Sequence, residues 1–297
     1  MRLFRIAVPV AVAALALSAC GGGGSSSGDA SGSAAPSVAA DEALAAKVPD
    51  AIKSSGTLTF GTDASYAPSE FIGEDGSTIE GFDIDLGKAI AAKLGLTGEF
   101  ENAGFDSLIV GVQNGKYDSA MSSFTINPER LKQVNMVSYF DAGTAWATAA
   151  GNPAGVAIDN ACGKTVAVQK ATVQVDDIEA KDKACTGAGN PAINIQQYNL
   201  QSDATTAVAS GKADAMLADS PVVAYAVKQS GGKLEQLGDV YGTAPYGVAI
   251  PLAEKEFAET VASAIDALIA DGTYQAILDQ WGVANGAVQK AEVNPKS

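Results

Sequence analysis

The 297-residue sequence predicts an α/β fold of two similar lobes, each a mainly parallel sheet flanked by helices, joined by two hinge crossings. Three observations carry this expectation. Short apolar or Thr-rich runs alternate with helix-period stretches, the pattern of parallel α/β sheets. A local repeat links the halves: Asn114-Gly-Lys-Tyr-Asp-Ser-Ala-Met121 and Ser210-Gly-Lys-Ala-Asp-Ala-Met-Leu217 share a helix end, a Gly-Lys stop, an Asp and a short apolar strand. A late strand, Tyr246–Pro251, then finds its best partner in the first sheet, because the second half already has three strands of its own.

Taken in order, Thr57–Thr62 reads as a strand, rich in Thr and apolar residues. Asp83 is placed to cap a helix over Ile84–Leu94, where Leu86, Ile90 and Leu94 recur every four residues and Gly95 stops the run. A strand near Glu99–Glu101 precedes a helix over Phe105–Asn114, with Phe105, Leu108, Ile109 and Val112 on one face, and then a strand over Ser119–Ser122. In the second half, Lys164–Val168, Ile193–Ile195 and Ala213–Leu217 read as strands. Between them a helix begins near Thr172, and another opens at Ser202 or Asp203 and ends at Ser210-Gly211. The chain is expected to cross between lobes near Ala145–Ala149 and near Tyr241–Tyr246, a hinge suited to closure around a ligand. Phe257, Val261, Ile265 and Leu268 form a C-terminal helical stripe, broken at Gly272-Thr273 and resumed from Tyr274 to Trp281. The expected boundaries are a signal peptide at 1–19, a flexible linker at 20–50, a first lobe of 51–147 plus 243–288, a second of 148–242, and a tail at 289–297.

The N-terminus has a basic start with Arg2 and Arg5, a short apolar stretch from Ile6 to Leu17, and Leu17-Ser-Ala-Cys20. The stretch falls short of the ~20 residues a membrane span needs, and the arrangement describes a secretory signal peptide. The Gly/Ser/Ala run after Cys20 has almost no apolar bulk and reads as a flexible linker, a coil of ~30 residues spanning roughly 30 Å. The formal charge of −15, or −17 without Arg2 and Arg5, argues against nucleic acid as a partner. In an exported chain, the two cysteines beyond Cys20, Cys162 and Cys185, suggest one disulfide. The chain has no histidine, which excludes Ser/His and Cys/His catalysis and makes a metal site a weak expectation. No cofactor is expected.

Ligands of open α/β sheets bind at the carboxyl ends of the strands. Those ends carry Asp63 to Pro68 and Ser122 to Thr125 in the first half, and Gln169 to Gln174 and Ala218 to Pro221 in the second. Arg130 stands out, because the only other arginines are Arg2 and Arg5. Asn127 can cap a helix with Pro128 at its first position, which fixes Arg130 one turn in. A guanidinium fork fits a carboxylate with two parallel bonds, which lysine cannot do. That carboxylate belongs either to a ligand or to a structural salt bridge. Asp219 either caps the next helix or pairs with a ligand ammonium. In the second case Arg130 and Asp219 form an amino-acid clamp with one jaw in each lobe, and Tyr66, Phe105, Phe124 and Trp146 are candidate walls for the side chain.

Tyr66-Ala-Pro68, Gly81-Phe-Asp-Ile-Asp-Leu86, Phe105-Asp-Ser-Leu108, Gly115-Lys-Tyr-Asp118, Ser122 to Arg130, Val166-Ala-Val-Gln169 and Ala218-Asp-Ser-Pro221 stand in the order found in the extracellular solute-binding proteins of family 3, the receptors of amino-acid ABC importers. The chain resembles that family from about Gly56 to Gly282. The resemblance implies a periplasmic-binding-protein-like fold and a monomeric receptor, not an enzyme, that delivers a free amino acid to an ABC permease. It implies that Arg130 holds the ligand α-carboxylate, helped by backbone N–H groups at Thr125 and Thr172. Ser123 and Asp219 would receive the α-ammonium, and Asp63, Tyr66, Phe105 and Phe124 would face the side chain. Leu17-Ser-Ala-Cys20 resembles a lipobox, which implies cleavage before Cys20, a lipid on its sulfur and anchoring on the outer face of the cell membrane. The second-lobe loop departs from the usual Gly-Thr-Thr or Gly-Thr-Ser, since it reads Ala171-Thr172-Val173 and removes one hydroxyl. Asp63 and the acidic chain favour a polar, even basic, amino acid. A dehydratase-like enzyme on the same scaffold and a sensing module of a membrane signalling system are the alternatives.

Overall fold

The computed structural model describes residues 38–296; the expected leader, Cys20 and the linker up to residue 37 lie outside the described residues. Helices α1 (Glu42–Ala45) and α2 (Asp50–Ser55) lead into β1 (Thr57–Thr62). The short strands β2 (Ser65–Tyr66), β3 (Glu70–Ile72) and β4 (Ile79–Glu80) form a small antiparallel sheet. The first half continues with α3 (Phe82–Lys93), β5 (Thr97–Asn102), α4 (Phe105–Gln113), β6 (Ser119–Ala120), α5 (Pro128–Leu131) and β7 (Val134–Ala149). There follow β8 (Thr165–Gln169), α6 (Val173–Gly187), β9 (Asn194–Tyr198), α7 (Gln201–Ala209), β10 (Ala215–Asp219), α8 (Ser220–Gln229), β11 (Leu234–Pro251), α9 (Lys255–Ala270) and α10 (Thr273–Trp281).

Eight strands join in the order β5-β1-β6-β11-β7-β10-β8-β9. The two ends of this array are parallel, β1 with β5 and β6, and β8 with β9 and β10. The centre is antiparallel, because β7 and β11 run beside each other from Val134 opposite Pro251 to Ala149 opposite Leu234. These two strands serve both lobes and make the two crossings. The late strand joins the first half's sheet as expected, through Ala249 opposite Ala120.

Several local expectations change. The expected first crossing at Ala145–Ala149 already belongs to the second half, since Thr144–Thr148 pairs with β10. The change of side comes earlier in β7, at Gly143, where a Cβ would lie 2.6 Å from Val240 Cγ1 and 2.7 Å from the Tyr241 carbonyl oxygen. The facing stretch of β11 shifts register between Leu237 and Tyr241 and again between Tyr241 and Ala244, so the crossing is a bulged ribbon rather than a regular ladder. Residues 41–50, expected in the linker, are folded. Leu44, Val48 and Ile52, four residues apart, form one buried stripe in the first half's core. Part of the expected tail is docked as well: the Glu292 carbonyl accepts from Ser138 N–H at 2.9 Å, and the Met136 carbonyl accepts from Asn294 N–H at 2.7 Å.

Cys162 and Cys185 form the expected disulfide, with Cα atoms 5.5 Å apart. It ties the turn before β8 to the far end of α6, the helix whose first turn faces the cleft. Its loop spans a sequence separation of 23 residues, for which chain entropy gives about 3 kcal/mol. Replacing both cysteines by serine should lower the unfolding free energy by about that amount in a denaturant titration. Equal stability would mean that the bond constrains nothing in the unfolded chain.

Candidate functional site

The carboxyl ends of strands from both halves meet at one cleft. Asp63 and Tyr66 follow β1, Phe105 opens α4, Ser122–Thr125 follow β6 and Arg130 lies in α5. Opposite them, Gln169 ends β8, Thr172–Gln174 open α6 and Asp219 ends β10. With Glu70, these residues line the cleft's tightly closed cavity; Phe124 stands behind Phe105 rather than in the lining.

Arg130 is placed by local chemistry. Asn127 Oδ1 accepts its backbone N–H at 2.9 Å, and Pro128 occupies the first helical position. Its Nη1 donates to the Thr125 carbonyl at 2.7 Å and its Nη2 to the Ala171 carbonyl at 3.1 Å. Phe105 and Phe124 stack at 4.8 Å, and the guanidinium carbon lies 5.4 Å from each ring centre. Only 8% of the residue is exposed. None of the ion pairs among the described residues includes it. The structural salt bridge left open by the sequence is therefore excluded. Burial pushes its pKa down to about 10, so it remains a cation at neutral pH. A buried charge without a counter-charge is costly, and the side chain's remaining donors are free for an anion.

Two backbone features add donors near Arg130. Thr125 pairs with Tyr246 as an isolated bridge, in which the inter-strand bonds run from Ile126 N–H to the Pro245 carbonyl and from Gly247 N–H to the Phe124 carbonyl. The Thr125 amide therefore points away from β11. Across the cleft, Thr172 precedes α6 without capping it, because its hydroxyl donates to the Gln169 carbonyl at 2.8 Å. The first-turn amides of this 15-residue helix stay uncapped beside the cavity, where helices bind anions. Ala171 has φ +62°, the left-handed region in which the family's usual glycine is unstrained.

Asp219 occupies the capping position of α8 but makes no cap hydrogen bond. Its Oδ2 accepts from Tyr66 Oη–H at 2.8 Å and its Oδ1 from Gln174 Nε2 at 2.8 Å. Burial pushes its carboxyl up. Burial, and then the charge of Asp219, push the Tyr66 phenol well above its ordinary value, so it stays a donor. Asp63 is also buried and raised by burial; its Oδ1 accepts from Ser65, and its Oδ2 accepts from the Phe105 amide at 2.9 Å and from Gln169 Nε2 at 3.0 Å. It therefore caps the entry to α4 and also reaches the other lobe. Ser123, at φ +50°, donates its amide to Asp83 Oδ2 at 2.8 Å and its hydroxyl to the same oxygen at 3.3 Å, which leaves its oxygen lone pairs to the cavity.

Besides Phe124, two further expectations are corrected. Asp83 does not cap α3; it lies inside the first turn, fully buried, with Gly81 at the capping position. Trp146 is no wall of the cleft: it is buried in the second half's core and donates Nε1–H to Tyr241 Oη at 2.8 Å. Glu70, Gln169 and Gln174 went unassigned to the site. The glutamines sit where strand β8 and helix α6 meet the cleft, a positional signal. Glu70 gave none, since a loop glutamate is ordinarily solvated.

The two lobes touch. Beyond Tyr66–Asp219, Asp63–Gln169 and Arg130–Ala171, Lys170 Nζ lies 2.8 Å from Asp106 Oδ2, Gln201 N–H donates to Ser65 Oγ at 3.1 Å, and Phe71 meets Tyr225 at 5.9 Å between ring centres. This is a closed cleft.

Comparisons agree with this architecture. Residues 58–284 match the bacterial extracellular solute-binding proteins, family 3. The arginine-binding protein ArgT of Corynebacterium glutamicum is 38% identical over 252 residues, covering 84% of this chain and 82% of that protein. The ABC transporter arginine-binding protein 1 of Escherichia coli is 32% identical over 229 residues, covering 75% and 90%. Among solved structures, an ancestral arginine-binding protein bound to arginine superposes with a TM-score of 0.70 at 35% identity, covering 76% of this chain and 98% of its own. The ancestral amino acid-binding protein AncCDT-1, a precursor of cyclohexadienyl dehydratase, superposes with a TM-score of 0.71 at 33% identity, covering 78% and 98%. A two-lobe cleft with a buried arginine and a match across its folded length identify the chain as a member of the bacterial extracellular solute-binding proteins of family 3.

Proposed function

We propose that this protein is the substrate-binding receptor of an ABC importer and that it closes on a basic L-amino acid, arginine before others. The observation that carries the reading is Arg130, a buried cation with no carboxylate partner among the described residues, facing Asp219 across the cleft. Arg130, the Thr125 amide and the first turn of α6 take the α-carboxylate. Asp219 and Ser123 take the α-ammonium. Of the acidic residues left in the lining, Glu70 is bound to Ser122, and a cationic side chain balances Asp63. The names of the relatives support arginine independently of this charge count.

Export, a lipid on Cys20 and delivery to a membrane permease belong to the same reading. They rest on the family and on the LSAC sequence. The enzyme alternative rests on the kinship with a dehydratase precursor. Mass spectrometry of the bound amino acid after prolonged incubation separates the two: a receptor returns it intact, and an enzyme does not.

A thermal-shift screen across the common amino acids identifies the ligand class, since a tight ligand raises stability by mass action. In calorimetric titration, Arg130→Lys should weaken L-arginine binding by about tenfold or more, as a point charge replaces the fork. Near-equal affinities would remove Arg130 from the clamp.

Asp219 adds a pH signature. Its folded pKa is raised, so the folded state holds its proton more tightly than the unfolded one. Its stabilising contribution is present below the ordinary aspartate value of about 3.9 and is lost as pH rises through the raised value. Without added amino acid, the stability of the wild type relative to Asp219→Asn should therefore fall as pH rises from about 4 in urea titrations. A difference that grows with pH would reverse the assignment.

A further inference from the structure

At the cleft wall lies a second acidic feature that the clamp does not use, reaching from Glu70 in the lining to Asp83 behind it. Glu70 and Asp83 are both fully buried, on β3 and in the first turn of α3, and they hold successive residues, Ser122 and Ser123. Glu70 Oε2 and Asp83 Oδ1 are each buried with no hydrogen-bond partner. Two neighbouring ionised carboxylates withdrawn from water repel each other, and one proton between them satisfies both oxygens. The remaining oxygens say where it sits. Asp83 Oδ2 accepts three donors: the Ser123 amide, the Ser123 hydroxyl and Tyr139 Oη–H at 2.7 Å. Glu70 Oε1 accepts one, Ser122 Oγ–H at 2.9 Å. Three donors favour the ionised form at Asp83, so Glu70 carries the proton and donates it to Asp83 Oδ1. The other titratable groups around the pair are Asp63, Tyr66 and Tyr139, and no ion pair among the described residues reaches either carboxyl.

The pair grips the cleft wall at successive residues. Ser122 bonds Glu70 and also accepts the Asp63 amide at 3.0 Å, while Ser123, held at φ +50°, bonds Asp83. A non-glycine residue in the left-handed region costs roughly 1–2 kcal/mol and needs such support. We propose that Glu70 and Asp83 share one proton at neutral pH, held on Glu70, and that this acid pair is the positioning device for the Ser122–Ser123 segment of the binding cleft. The role in ligand binding rests on the receptor reading; the shared proton and the held segment do not. Burial and the neighbouring Asp83 push Glu70 well above the ordinary carboxyl range, and burial pushes Asp83 up to about 6, in keeping with one proton on the pair at neutral pH.

The test compares the full chain with its Glu70→Gln and Glu70→Met variants. Glutamine keeps a donor toward Asp83 and an acceptor for Ser122, and methionine keeps neither. Infrared spectra at pH 7 should show the carbonyl stretch of a buried protonated carboxyl in the wild type and its loss in Glu70→Gln. Amide hydrogen exchange at Ser123 should match the wild type in Glu70→Gln and run about tenfold or more faster in Glu70→Met. L-arginine should bind Glu70→Gln about tenfold or more tighter than Glu70→Met. A wild type without the infrared band overturns the shared proton, whether or not Glu70→Met folds. Equal Ser123 exchange in the two variants overturns the positioning role. If no amino acid binds any of the three proteins, the receptor reading fails, and the infrared and exchange results still decide the pair.

Discussion

The structure is organised around a buried guanidinium that has no anion of its own. Arg130 is anchored by carbonyls, stacked on two aromatic rings and withdrawn from water, yet it joins no ion pair among the described residues. Carbonyl dipoles and ring faces offset part of the desolvation cost of such a charge, and an incoming carboxylate offsets the rest. The Asn127 cap, the turned-away Thr125 amide and the uncapped first turn of α6 all converge on the same point.

The rest of the fold delivers the partner groups to that point. Parallel strands in each half bring their carboxyl ends to the cleft, and β7 and β11 carry the chain across it. The bulged stretch opposite Gly143 concentrates irregular backbone at the crossing, where a hinge needs it. Closure has its own contacts: Tyr66 meets Asp219 and Gln169 meets Asp63, each pair joining the two lobes. A ligand that bridges Arg130 and Asp219 therefore adds to an interface already complementary.

Much of this was legible in the sequence, and the failures have physical causes. Strands with a turn signal at each end and helices with an apolar period were found within a few residues. The Asn127-Pro128 start was legible because capping is local chemistry. Strand β7 was missed because it is buried along almost its whole length and shows no polar alternation. Asp83 looked like a cap because an Asp beside a helix start usually is one; only tertiary packing places it against Glu70 and Tyr139. Trp146 looked like a cleft wall because its face on a doubly buried strand cannot be read from neighbours in sequence. For Asp219 and Arg130 the sequence supplied the candidates, and the fold adds that Asp219 makes no cap hydrogen bond and that Arg130 joins no ion pair among the described residues.

The central claim is that the buried Arg130 binds the ligand's carboxylate. The direct measurement is a calorimetric comparison of L-arginine with agmatine, which keeps the guanidinium side chain and the amine but lacks the carboxylate. The account predicts that the purified protein binds agmatine about a hundredfold or more weaker than L-arginine, the loss of two charge-assisted bonds. Comparable affinities for the two would contradict it.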